Sequence, residues 1–189
     1  MFIVKNKYFL IIESIKDIDL EKIKKRNKFY IVYRSHKKVD KLLDLLSFRE
    51  KCKSKAIKFY IANDLKLAIS IKSDGLYLSS FNRDLKFLYF KRSNFELIGS
   101  AHNVKEITTK IKQGCSSILL SKLFLVDYDS KSTFMGVVRF NKISRLSNKL
   151  IPLGGIKIEN LNQLNNVFGD GFALLSEIKK KPAIISRLF

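Results

Sequence analysis

Residues able to do chemistry recur in this sequence at one kind of place, at or just after the end of a short apolar run. Arg34 follows "KFYIVY", with Ser35 and His36 behind it, and Asn63 and Asp64 end "IKFYIAND". Ser79, Ser80, Phe81 and Asn82 follow "GLYL", and Ser100 and His102 end the stretch that begins "FELIG". Lys122 stands late in "SSILLSKLF", Gly154 and Gly155 close "KLIPLGG", and Leu175 and Ser176 belong to "GFALLSE". Together they offer a cation, a carboxylate, amides, hydroxyls and a glycine pair. Adjacent glycines usually make a turn, since Gly takes positive φ at little cost, but they also let backbone lie against a phosphate. No Ser/His/Asp order and no paired catalytic carboxylates stand out. The set suits binding of phosphorylated ligands and a metal better than hydrolysis by a side-chain nucleophile.

The elements that must position these residues alternate in character. The apolar, β-rich runs are 7–13, 28–35, 57–64, 75–80, 95–101, 116–124, 149–155 and 171–177. Between them lie segments of helical period such as "VDKLLDLLSFREKCK", "NVKEITTKIKQG" and "IENLNQLNNVF". The second opens with Asn103 and closes with Gly114, a helix start and stop in the right order. Continuous apolar runs joined by helical crossovers imply parallel strands buried on both faces. About eight such strands favour an α/β fold of the closed (β/α)8 barrel type over an open doubly wound sheet. The expectation is a single compact barrel domain over 1–189 with a truncated last helix, since Pro182 interrupts "KKKPAIISRLF". On either architecture the chemistry belongs at the carboxyl ends of the strands.

Composition bounds the function classes. Hydrophobic residues make up 46% and aromatics 12% of the 189 residues, far from a disordered profile. Cys52 and Cys115 show neither metal-site nor redox spacing, so the expectation is a reduced, cytoplasmic setting. No stretch approaches the roughly 18 uninterrupted apolar residues of a membrane helix, and lysines break the first apolar run "MFIVKNKYFLII". The formal net charge of +20 would suit a nucleic-acid partner. The lysines are scattered, however, without a basic tail or an arginine-rich stripe, which argues against nucleic acid. A positive mouth that steers small phosphorylated anions accounts for the charge equally well.

Three stretches resemble the thiamine-phosphate synthase family, whose superfamily also holds thiazole tautomerases. "FYIANDLKLAISIKSDGLYLSS" is similar to its Asn-Asp pair, helix and following strand. "IGSAHNVKEITTKIKQGCSSILLS" is similar to its Gly-Ser-x-His strand, helix and next strand, and "IPLGGIKIENLNQLNNVFGDGFALLSEI" to its Gly-Gly-Ile and closing unit. The resemblance implies a (β/α)8 barrel that joins a pyrimidine pyrophosphate to a thiazole phosphate with Mg2+. It implies that Arg34 clamps pyrophosphate, Asn63 contacts it, Asp64 holds Mg2+ with Asn82 at the second metal position, and Ser100 bonds the pyrimidine. Backbone at Gly154, Gly155, Leu175 and Ser176 would receive the thiazole phosphate.

The chain also departs from that pattern. Val32 stands for a glutamine, His36 for a lysine, Tyr77 for a histidine, and Asn82 for the second metal-binding aspartate. "LVDYDSK" replaces a Thr-x-Thr-Lys loop, leaving Lys131 or Lys122 to supply its cation. These departures keep two alternatives open, a thiazole tautomerase-like isomerase and a non-catalytic binder of phosphoryl ligands or RNA. The tautomerases use a His just after the strand-six exit, where this chain has Lys122. Asp64 also reads plainly as the N-cap of a helix starting at Leu65. A homo-oligomer is compatible with the sequence, which does not decide oligomeric state.

Overall fold

The computed structural model describes residues 5–23, 27–35, 39–90, 95–127, 133–175 and 177–178. Eight strands close into a parallel barrel in sequence order: β1 Lys7–Ile12, β2 Phe29–Tyr33, β3 Lys58–Ala62, β4 Gly75–Leu78, β5 Glu96–Ala101, β6 Ser117–Ser121, β7 Leu150–Leu153 and β8 Gly171–Leu174. The ring is completed by β1 against β8, with Phe9 opposite Ala173. All eight apolar runs named above therefore become strands, and every pairing is parallel. The residues of the expected final helix, from 179 onward, lie outside the described chain.

The period of two along each strand sorts side chains into two cores. Phe9, Ile11, Val32, Tyr60, Tyr77, Ile98, Leu119, Ile151, Leu153 and Ala173 fill the barrel interior. Their neighbours, among them Leu10, Ile31, Phe59, Leu76, Leu97, Ile118 and Phe172, form the larger layer between the barrel and its outer elements. Burial on both faces is why the strands read as unbroken apolar runs rather than as alternation.

The outer elements are short. They comprise α1 Leu42–Ser54, α2 Leu65–Ser70, α3 Val104–Lys112 and α4 Gly136–Ser144, with 3-10 segments at Leu85–Phe90 and Ile158–Asn166. Asn103 caps α3, its Oδ1 accepting from the Glu106 N–H at 2.9 Å. The Glu106 carboxylate accepts in return from the His102 N–H at 2.8 Å. The segment 158–166 has helical spacing but winds as 3-10 helix. Four of its residues are Asn, which competes with its own backbone. Asn160 shows the competition, accepting from the Lys157 N–H at 2.8 Å and donating to the Gly155 carbonyl at 2.7 Å. At the amino-terminal face, Arg49 pairs with Asp74 at 2.9 Å, and Asp74 also accepts from the Phe59 N–H at 2.7 Å. That pair joins α1 to the turn before β4.

Candidate active site at the carboxyl end of the barrel

The strand period that fills the interior also builds the mouth. Two residues beyond the interior Val32 stands Arg34; beyond Tyr77 stands Ser79, beyond Ile98 Ser100, beyond Leu119 Ser121, and beyond Ala173 Leu175. All five line one cavity of about 320 Å3, together with Asn63, Tyr77, His102, Lys122, Gly154 and Gly155. On β2, β4, β5 and β6 one inward position thus carries the change from apolar plug to polar site.

Arg34 is half-buried in this cavity, and its Nε is fully buried without a hydrogen-bond partner. Burial pushes the Tyr77 phenol above its usual range, partly offset by Ser100 and Arg34 beside it. At neutral pH it is therefore a neutral donor and acceptor between two site residues. Asn63 adopts the left-handed conformation, with φ of 58°, one that asparagine tolerates better than most residues. The turn aims its amide at Ser79, accepting from the Ser79 N–H at 3.0 Å and donating to Ser79 Oγ at 2.5 Å.

Ser121 and His102 form a contact that sequence order does not reveal. Ser121 Oγ lies 2.9 Å from His102 Nδ1, and both residues line the cavity. The signal that could have found Ser121 is its place two residues after Leu119, on the inward face. Lys110 is a second residue that reasoning from motifs missed. It lies on α3 and is fully buried, its Nζ donating to the carbonyls of Ser79 at 2.7 Å and Asn82 at 2.6 Å and to Gln113 Oε1 at 2.9 Å. Burial lowers its pKa.

The expected metal pair is not assembled. Asp64 is exposed and caps α2, its Oδ1 accepting from the Leu67 N–H at 2.9 Å, and it does not line the cavity. Asn82 Oδ1 accepts from the Asp84 N–H at 3.1 Å and from Gln113 Nε2 at 3.3 Å, so it is turned into its own loop. Among the described residues no Asp or Glu lines the cavity, and no group of three His, Cys, Asp or Glu could hold a metal. Mg2+ is normally held by one or two carboxylates plus ligand phosphates. The side chains described here do not fit it.

The glycine pair has a packing role as well as a place in the cavity. Gly154 and Gly155 have φ of 94° and 68°. A Cβ on Gly155 would lie 2.5 Å from the Phe124 carbonyl group, which is backbone and cannot move aside cheaply. The pair is thus required by the close passage of the loop after β6, in addition to anything it does for a ligand. Lys131 and Ser176, also expected in the site, lie outside the described residues.

Comparison with known proteins agrees with this architecture. A thiamine-phosphate synthase from Geobacillus thermodenitrificans is 25% identical over 134 residues, covering 69% of this chain and 61% of that protein. One from Clostridioides difficile is 24% identical over 138 residues, covering 71% and 65%. The match thus spans less than two thirds of the length of these curated relatives. A thiamine phosphate pyrophosphorylase from Pyrococcus furiosus shares the fold with a TM-score of 0.73 at 16% identity, over 98% of this chain and 94% of that one. A 3-keto-L-gulonate-6-phosphate decarboxylase from Vibrio cholerae does so with 0.62 at 11% identity, over 97% and 95%. The second likeness shows that the barrel alone does not specify a reaction. Sequence does what fold cannot: residues 12–178 match the family model described as thiamine monophosphate synthase, and the chain belongs to that family.

Proposed function

We propose that this protein joins a hydroxymethylpyrimidine pyrophosphate to a thiazole phosphate, yielding thiamine phosphate and pyrophosphate. The observation that carries the reading is the buried, unpartnered Nε of Arg34 in a mouth whose described lining residues include no carboxylate. Family membership supports the same chemistry. The bond from the pyrimidine methylene to the pyrophosphate oxygen breaks, and its electron pair leaves with pyrophosphate. The thiazole nitrogen lone pair then forms the new C–N bond. Such an ionisation asks the protein for positioning and for charge stabilisation on the leaving group, not for a nucleophile.

In this reading Arg34 takes the charge that develops on pyrophosphate, through the fork geometry that suits phosphate oxygens. Asn63 Nδ2 spends one hydrogen on Ser79 and keeps a second for the same anion. Ser100 and Tyr77 orient the pyrimidine, and Lys122 adds a second cation at the mouth. The backbone at Gly154, Gly155 and Leu175 receives the thiazole phosphate, with Ser176 and Lys131 assigned by resemblance only. The test is incubation of the full chain with both substrate halves, reading thiamine phosphate and pyrophosphate. Equal amounts of the two products are expected. Their absence in both metal-free and Mg2+ buffers overturns the reading.

A second reading, proton transfer within one phosphorylated azole, is favoured by the Ser121–His102 couple. Histidine is suited to acid–base work near neutral pH, and a hydroxyl beside it can relay the proton.

A further inference from the structure

We infer that the mouth of the barrel neutralises a pyrophosphate group with cations built into the chain, without a divalent metal ion. The inference deepens the reading above and rests on the same cavity. Four observations lead to it. The described residues that line the cavity include Arg34 and Lys122 and no carboxylate, so a divalent cation entering alone meets like charge from them. The Arg34 Nε is buried and unpartnered, a donor in a low-dielectric place awaiting an acceptor. The Asp64 carboxylate is used outside the cavity as the cap of α2. Finally, the loop after β4, where Asn82 stands, is gathered by the ammonium of Lys110 on the carbonyls of Ser79 and Asn82. A fixed ammonium thus organises the loop that carries Asn82, whose amide oxygen is already spent on Asp84 and Gln113.

The physical consequence is a ligand preference. A polyanion carrying no metal finds donors of fixed geometry at the mouth, whereas its Mg2+ complex brings a hydrated dication to lining residues that, among those described, offer no anionic oxygen. The cavity should therefore bind free pyrophosphate at least as well as the magnesium complex.

The experiment is calorimetric titration of inorganic pyrophosphate into the full chain, once in EDTA and once in excess Mg2+. Binding in EDTA is expected, with an affinity at least equal to that in Mg2+. Arg34→Met should weaken binding by about tenfold or more in both buffers, the size of a lost charge-assisted bond. Asp64→Asn retains a good capping residue while removing the charge, so it should leave the melting temperature and both affinities unchanged. Binding only in Mg2+, no binding in either buffer, or a metal-dependent gain that Asp64→Asn abolishes would overturn the inference. Product formation separates it from the transferase reading. Thiamine phosphate made only with Mg2+ leaves that reading standing and removes this one, whereas metal-free pyrophosphate binding without product in either buffer does the reverse.

Discussion

The ammonium of Lys110 sits 2.7 Å from the carbonyl oxygen of Ser79, and that serine exchanges two hydrogen bonds with Asn63 at the cavity wall. A lysine on α3 that never touches the cavity thereby holds one side of it. Lys110→Met keeps most of the side-chain volume and leaves the Ser79 and Asn82 carbonyls without their shared donor. The expected loss is about 1.5–3 kcal/mol of unfolding free energy in urea, from the charge-assisted bonds removed, since the Ser79 carbonyl keeps the Asn82 N–H and the Asn82 carbonyl keeps Gln113 Nε2. Faster amide exchange over residues 79–84 than over β6 should accompany it. Uniform exchange would mean that the lysine serves general packing.

Gly155 and Gly136 separate two costs that are usually confounded. Their φ values are 68° and 70°, but a Cβ at Gly155 meets Phe124 backbone at 2.5 Å while one at Gly136 meets nothing within 4 Å. Gly136→Ala should therefore cost about 1–2 kcal/mol, the strain of a left-handed alanine. Gly155→Ala should cost at least about 2 kcal/mol more, because backbone must move as well. Chemical denaturation of both variants measures the difference, and equal costs would show that the loop after β6 gives way freely.

Ser121→Ala distinguishes the two functional readings. Ionisation of a pyrophosphate ester needs no base, so removing the Ser121–His102 contact should lower transferase turnover by less than about tenfold. A loss of about 100-fold or more would place proton transfer at the centre of the reaction. The comparison is made at saturating concentrations of both halves.

Alkaline pH should destabilise the protein through its tyrosines. Burial raises the phenol pKa of Tyr8, Tyr30, Tyr33, Tyr60 and Tyr77 above the ordinary value of 10.0. The native state then keeps protons that the unfolded chain releases, so this stability is complete below pH 10 and declines above it. Phenolate absorbance followed against pH should show Tyr60 and Tyr77 ionising only together with loss of near-ultraviolet circular dichroism. Earlier ionisation of those two would contradict their burial.

Cys52 offers a probe of the layer between α1 and the barrel. Burial pushes its thiol up to about 12, so the reactive thiolate is scarce at neutral pH. Its alkylation should follow unfolding, with a rate that rises alongside urea concentration. Rapid labelling of the native chain would show a local opening beneath α1.

Local pattern carried the barrel. Eight apolar runs, the segment 39–53 between the second and third of them, and Asn103 before α3 with Gly114 after it are properties of neighbours in sequence, and neighbours decide strand period and capping. The same period of two set Arg34, Ser100 and Leu175 on the inward face above Val32, Ile98 and Ala173, so the rim of the site was legible as well. What neighbours cannot decide is where a long side chain ends. Lys110 stands three residues after Ile107 on the buried face of α3, where sequence alone suggests a lysine reaching for water, and the loop after β4 supplies two of its three acceptors, with Gln113 at the end of α3 the third. Asp64 could have turned into the mouth or onto the Leu67 N–H, and the path of the chain into α2 selects the latter. Ser121 and His102 are 19 residues apart and meet because β5 and β6 are adjacent in the closed ring. Gly155 needs its hydrogen because Phe124 passes beneath it. Each of these depends on distances between elements, which arise only once the barrel has closed.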